Sequence, residues 1–379
     1  MAGQTAPGSA IPSQPTNGGA PQRMIPFRMA TNERSEILPS EAGTITAAQQ
    51  PIERTMEGTG FLYGVQLNQT VTTAGNAAAT AFAEDGPWTG LASVVLRDPT
   101  GEIVNLSGFN LFLYNLAMRQ YAVRNVEAST EVFSATTGAG ATGGSFNIWL
   151  RVPAGINRRS LLGILGNQDR SVKYQLRSDV GFTTGIYSTA PTNPGTFAIQ
   201  KIMDSYAVPS PVGAMGPQQI IPDNFGTLAF ATSTVSEAAP VPSATINHYM
   251  RRIGNTIRFI ILVFRAGAGT TPRTVAQANP PSRVQLKIGD SDFFNEPYAY
   301  RRMLMFERYG FDWPSGVLVY DMMHDFSAAA GFELGDDWLN TMNVNTAQWI
   351  ITYPAGFTAG GSLTFVTADM ALVGQPLGS

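Results

Sequence analysis

Few side chains in this sequence are equipped for chemistry. It has two histidines, His248 and His324, and no cysteine. Thiolate zinc sites, iron–sulfur clusters, cysteine nucleophiles and disulfides are therefore excluded, and hydrolytic triads have almost no raw material. His324 lies in Tyr320-Asp321-Met322-Met323-His324-Asp325, with carboxylates at both sides. A metal site would need His248 brought close, together with Asp321 or Asp325. On a strand Asp321 and Asp325 share one face and His324 points to the other, which splits the ligand set. The segment reads as a polar strand end with a hydrogen-bonded histidine. The pairs Asp290/Asp292 and Asp336/Asp337 have the residue types for acid–base work on a glycoside. They lie among Gly and Asn, where aspartate is an ordinary turn former.

Gly138-Ala139-Gly140-Ala141-Thr142-Gly143 matches GxGxxG. The residues after it (SFNIWLR) read as a strand, whereas a dinucleotide site needs a helix N-terminus at that point. The segment reads as a hairpin loop. Neither GxxxxGK[ST] nor GxSxG occurs. The expectation is no catalytic, cofactor-binding or metal-ligating residue, no cofactor, and a protein that is not an enzyme. The five tryptophans remain. Trp149 and Trp349 lie in alternating segments and read as core or interface, while Trp88, Trp313 and Trp338 sit beside Pro, Gly or Asp in loops. Exposed loop tryptophans suit a sugar platform or a subunit contact. The fourteen methionines read as core filler.

The elements that would hold these residues belong to an unusual chain. Of its 379 residues only 13% are charged, about half the ~25% of a typical soluble domain, while 39 glycines and 25 prolines make it turn-rich. So few charges imply that much of the surface is not left facing water. A net charge of −3 argues against direct, sequence-specific nucleic-acid binding. The longest apolar run, Phe259–Phe264 (FIILVF), is far below the ~20 residues that span a bilayer. The start has no basic region followed by an apolar stretch, so no signal peptide is read and the chain is expected to be soluble.

Residues 1–58 are rich in Pro, Gly, Ser, Thr, Gln and Ala and read as an extended N-terminal arm carrying Arg23, Arg28 and Arg34. From Thr59 onward, short apolar segments alternate with turn clusters, the pattern of an all-β sandwich. Phe61–Leu67, Phe146–Val152, Val172–Leu176, Val284–Ile288 and Trp349–Thr352 read as strands. Val94–Leu96 and Glu102–Val104 flank the turn Asp98-Pro99-Thr100-Gly101 and form a hairpin. Phe109–Arg119 fits both a helical and a strand period and is left unassigned.

Two helix candidates follow strands. In the first, Asn157 caps, Leu161, Leu162 and Leu165 form a stripe, and Gly166 stops the helix. In the second, Asn295 caps, Pro297 falls in the first turn, Ala299, Met303 and Phe306 share a face, and Gly310 stops it. Arg158 to Arg301, Gly166 to Gly310 and Val172 to Val317 are separated by 143, 144 and 145 residues. This spacing predicts a duplicated module, with 208–224 as linker. The expected division is 1–58 arm, 59–215 first jelly roll and 216–379 second jelly roll.

With those residues in view, the chain resembles the double jelly-roll major capsid proteins. These build tailless icosahedral double-stranded DNA phages with an internal membrane (the tectivirus group) and more distantly resemble adenovirus hexon. The segments that carry the likeness are 146–180 (FNIWLRVPAGINRRSLLGILGNQDRSVKYQLRSDV) and 284–326 (VQLKIGDSDFFNEPYAYRRMLMFERYGFDWPSGVLVYDMMHDF). The resemblance implies an all-β fold of two tandem eight-stranded jelly-roll β-sandwiches, with short helices between strands and an extended arm. It also implies a structural subunit that forms pseudo-hexagonal homotrimers and then trimer–trimer contacts, tiling the facets of a virion shell over an internal membrane. Expected partners are the chain itself, vertex (penton) and minor capsid proteins, and the inner membrane through Arg23, Arg28 and Arg34. Assembly is expected in the host cytoplasm, with the product in the virion.

Three competing readings stand beside it. One is a jelly-roll carbohydrate-binding or receptor-recognition protein, a viral spike for example, motivated by the loop tryptophans. Another is a β-sandwich hydrolase using an Asp pair, which requires activity to be lost on changing Asp336 or Asp292. The last, the other main phage capsid fold, expects a long spine helix, and no helix candidate here exceeds about four turns.

Overall fold

The computed structural model describes residues 27–58, 60–73, 81–83, 85–118, 145–156, 162–167, 173–209, 212–213, 216–217, 227–266, 280–323, 338–357 and 361–372. The chain divides into two compact units. The smaller takes residues 1–32 and 209–221. Its described parts are the short helix α1 (Phe27–Ala30) and an antiparallel pair, Val212–Gly213 with Gly216–Pro217, numbered β13 and β14 in chain order. The larger, residues 33–208 and 222–379, holds both sandwiches.

The first half of the larger unit runs through β1 (Glu33–Ile37), β2 (Glu41–Thr44), β3 (Gln50–Thr55), β4 (Gly60–Thr72), β5 (Ala81–Phe82), β6 (Leu91–Asp98) and β7 (Gly101–Leu106). After helix α2 (Gly108–Ala117) come β8 (Ser145–Pro153), β9 (Leu165–Asn167), β10 (Gln175–Val180), α3 (Thr183–Ile186), β11 (Tyr187–Thr189) and β12 (Thr196–Tyr206). The second half has β15 (Thr227–Val235), β16 (Thr245–Tyr249), β17 (Thr256–Arg265), β18 (Arg283–Ile288) and β19 (Ser291–Pro297). Helix α4 (Tyr298–Tyr309) follows, then β20 (Val317–Asp321), β21 (Leu339–Asn340), β22 (Ala347–Thr352) and β23 (Ser362–Leu372).

Three sheets build two sandwiches. One sheet orders β1-β12-β4-β8, another β16-β22-β18-β19, and a nine-stranded sheet between them orders β20-β17-β23-β15-β7-β6-β10-β3. With the short strands β2, β5, β9, β11 and β21 left out of the count, each half places its first, eighth, third and sixth strands in one sheet. Its second, seventh, fourth and fifth form the sheet opposite. That shared order is the jelly roll. The halves meet where β15 runs parallel to β7, with Ala231 opposite Val104 and Thr232 opposite Asn105. Strands on either side supply alternating inward residues, such as Leu67 and Val71 on β4 and Val94 and Leu96 on β6, to one apolar core. FIILVF is the middle of β17, buried on both faces.

Local signals explain the expected elements that are found. The Asp98 carboxylate accepts from the Thr100 N–H (2.7 Å), the Thr100 hydroxyl (2.6 Å) and the Gly101 N–H (2.9 Å), closing the β6–β7 hairpin. Helix α4 stops at Gly310, whose φ of 76° is left-handed and whose amide returns to the Phe306 carbonyl at 2.8 Å. Of the stretch 109–119, residues 109–117 are helix: Ser107 caps α2, its hydroxyl accepting from the Asn110 N–H at 3.2 Å. All ten residues of α2 are buried, so no polar face betrayed the helical period.

The structure corrects several readings. Asn295 does not cap α4; it lies in β19 opposite Gln285, and Pro297 occupies the N-cap. Leu165 and Gly166 belong to β9, paired with Leu62 and Phe61, so Gly166 stops no helix; residues 157–161 of that candidate lie outside the described residues. The two halves do repeat, but in a different register from the 143–145-residue spacing. The equivalent helices are α2 and α4, starting at 108 and 298, a separation of 190 rather than 143 residues. Strand β8, paired by that spacing with β18, is the sixth strand of its sandwich, whereas β18 is the fourth. Residues 33–55, expected in the arm, pair with the chain's own sheets: β1 and β2 on β12, and β3 on β10.

Candidate functional site

The residues with chemical potential are structurally employed. His248 on β16 is fully buried, its Nδ1 2.7 Å from the Ser236 hydroxyl and its Nε2 2.8 Å from the Tyr353 hydroxyl. Burial pushes its pKa down to about 4, so the ring is neutral, and burial pushes the Tyr353 phenol upward. Asp321 is held by Arg308 (3.0 Å), by the Tyr309 hydroxyl (2.7 Å) and by the Met323 N–H (2.7 Å). Its carboxylate is thus taken up by an ion pair. Asp292 accepts from Gln285 at 2.7 Å on the exposed side of β19, and Asp290 sits in the β18–β19 turn. His324, Asp325, Asp336, Asp337 and the GxGxxG segment lie outside the described residues. Among the described residues, no three His, Cys, Asp or Glu gather to hold a metal.

The tryptophans sort differently from expectation. Trp88, Trp313 and Trp338 are buried despite their loop settings. Trp88 stacks on Phe112 of α2 with ring centres 3.9 Å apart, and Trp313 packs edge-on to Tyr309. They offer no sugar platform. Trp349 is core, against Tyr320. Trp149, on the edge strand β8, is 43% exposed and is the one that faces outward.

The two sandwiches are joined by packing of β17 against α2. Alternate residues of β17 divide its faces: Phe264 meets Tyr353 inside the second sandwich, while Phe259 and Arg265 turn toward α2 of the first. Tyr114 lies 5.1 Å from the Phe259 ring, and Arg265 sits 5.0 Å above Phe109. Arg265 also pairs with Asp85 at 3.4 Å, both buried, and donates to the carbonyls of Phe264 (2.9 Å) and Ser315 (3.2 Å). Arg258, fully buried, reaches the Tyr114 hydroxyl (3.4 Å) and the Met118 sulfur (3.3 Å). Helix α2 thereby packs against β17 in the β15-β23-β17-β20 portion of the shared sheet. Gly108 opens that helix because an added Cβ would lie 2.2 Å from the Trp88 carbonyl.

Among the described residues, two surfaces lack such a cover. Helix α4 turns Met305 inward, and its half-buried arginines bind carbonyls below it: Arg301 that of Val319 (2.8 Å), Arg302 that of Trp313 (2.6 Å). Its opposite side carries Ala299, Tyr300, Met303 and Phe306, with Met303 56% and Phe306 53% exposed. These include the three residues whose spacing puts them on one face. The second surface is the outer face of β12-β4-β8. There Trp149, Asn68 and Gln200 align in one row and Arg151, Gln66 and Ile202 in the next. Of these only Arg151 is charged. Of the arm arginines, Arg34 is exposed on β1, Arg28 lies in α1, and Arg23 falls outside the described residues.

No protein-family model matches the chain, and no curated protein matches it in sequence. Solved structures do match. The crystal structure of the STIV MCP superposes with a TM-score of 0.61 at 14% identity, over 90% of this chain and 97% of that one; STIV is the Sulfolobus Turreted Icosahedral Virus. The PBCV-1 virus capsid gives 0.61 at 12% identity, over 90% and 94%. Both lie along almost the whole chain. The chain has the double jelly-roll fold of viral major capsid proteins. The major capsid protein P2 from Bacteriophage PM2 shares this double jelly-roll arrangement, with a TM-score of 0.52 at 11% identity over 91% of this chain and 99% of that one. Among the described residues of this double jelly roll, no helix is long and apolar enough to cross a membrane.

Proposed function

We propose that this double jelly-roll chain is a major capsid subunit, which forms pseudo-hexagonal homotrimers that tile the facets of an icosahedral shell over an internal membrane. The observation that carries the reading is two jelly rolls with one strand order, fused through a shared sheet and matched end to end by capsid subunits. The low charge fits, since contact centres between subunits are depleted in charged residues. The role is structural, not catalytic. Sedimentation of the purified chain tests it: a species of three times the 40.5 kDa chain mass is expected, and a monomer at every concentration overturns it.

The working division keeps 59–215 and 216–379 as the bulk of the two jelly rolls, with the strands of 33–55 completing the first. The remaining arm, with Arg23 and Arg28, faces acidic headgroups of the inner membrane or a neighbouring subunit, and Arg34 extends that basic series. Deleting residues 1–32 tests this: lower particle yield or membrane content supports it, and unchanged values reject it. Vertex and minor capsid proteins are the further partners, assembly takes place in the host cytoplasm, and the product is the virion shell.

A further inference from the structure

We infer that the exposed stripe of α4 (Tyr300, Met303 and Phe306) docks on the outer face of β12-β4-β8, around Trp149, of a second copy of this chain. The inference rests on the assembly reading above and names its contact. The template is inside the molecule. In each sandwich a helix follows the fifth strand, α2 after β7 and α4 after β19. In each, the sheet of first, eighth, third and sixth strands has an outer face. On the second sandwich helix α2 packs against β17 of that sheet, through Tyr114 on Phe259 and Phe109 under Arg265. Among the described residues, helix α4 is the equivalent helix with nothing over its stripe, and β12-β4-β8 is the equivalent face, half-buried with Trp149 exposed. The two unmatched halves complete each other only between chains.

Composition on both sides agrees. The stripe is apolar with one exposed carboxylate, Glu307, beside it, and the facing rows offer Trp149 and Ile202 among Asn68, Gln66 and Gln200, with Arg151 the one charged residue there. Such pairing desolvates few charges. Because each chain offers one helix and one sheet face, the contact is head-to-tail, and it closes into a ring when the rotation per step divides the circle.

The absence of cysteine makes the test direct. Two single-cysteine chains with different tags, Met303→Cys and Trp149→Cys, are co-expressed and treated with a short bismaleimide. Cross-linked pairs containing one chain of each kind are expected. Pairs formed by Met303→Cys chains with each other, or no mixed pairs from trimeric material, overturn the inference. In parallel, Met303→Asp/Phe306→Asp and, separately, Trp149→Arg are sedimented beside the wild type. Both sets of substitutions lie on exposed positions, so the melting profile should hold while trimer stability falls at least tenfold. Variants that stay as trimeric as the wild type overturn the docking surface and leave the capsid reading intact. A wild type that never leaves the monomer overturns the capsid reading itself. If the helix variant loses its native circular dichroism, Trp149→Arg and the cross-link decide.

Discussion

Removing Asp85 tests whether the two sandwiches behave as one body. In Asp85→Ala the Arg265 guanidinium stays buried in the seam without its carboxylate, 3.4 Å away in the wild type. Taking one partner from a buried ion pair costs about 3–5 kcal/mol. Arg265 keeps two carbonyl acceptors, Phe264 at 2.9 Å and Ser315 at 3.2 Å, so the lower end, about 3 kcal/mol, is expected. That is a factor of roughly 100–200 in the unfolding equilibrium. Urea unfolding is followed by tryptophan fluorescence and by far-ultraviolet circular dichroism. Trp88 reports on the first sandwich and Trp349 on the second. The wild type should show coincident transitions. The variant should show a lower midpoint, and Asp85→Leu/Arg265→Met should cost less than the two single changes added together. A loss below about 1 kcal/mol for Asp85→Ala, or strict additivity in the double variant, would refute the account of the seam.

Three further outcomes follow from single sites. His248 takes a proton near pH 6.5 when unfolded but only near about 4 when folded. Its stabilising contribution is therefore complete above pH 6.5 and lost as the pH falls toward 4. The loss is about 3 kcal/mol, and His248→Gln should flatten that part of a stability–pH curve. Lys201 is fully buried against Glu41 at 2.9 Å, and burial lowers its pKa despite that partner. Glu41→Ala, which strands the ammonium, should cost about 3 kcal/mol, while Lys201→Met should stay within about 1 kcal/mol in the same urea assay. Gly310→Ala should cost about 1–2 kcal/mol through its left-handed backbone alone, because no atom lies within 4 Å of the added methyl. Thermal melts of the two chains check it.

The sequence made the jelly-roll class legible through its punctuation. Asp98-Pro99-Thr100-Gly101 marked a hairpin, and Gly310 marked the end of α4, because backbone stops act locally. Burial from two sides was not legible. Every residue of helix α2 is buried, Asn110 and Asn115 included, so the alternation of polar and apolar faces that identifies a helix is erased. Strand β1 reads Glu-Arg-Ser-Glu-Ile with every residue exposed, and nothing in its pattern announces that it pairs with β12. Arg-Arg pairs and glycines recur by chance, so their spacing does not report fold position. Periodicity placed Ala299, Met303 and Phe306 on one face of α4. It does not say whether the chain itself or a neighbour covers that face.

Electron cryo-microscopy of the purified chain at assembly concentrations tests the central claim most directly. The account predicts pseudo-hexagonal particles of three chains with six upright sandwiches, in which α4 of each chain meets the Trp149 face of the next. Isolated two-sandwich monomers at every concentration, or oligomers joined through other surfaces, would contradict it.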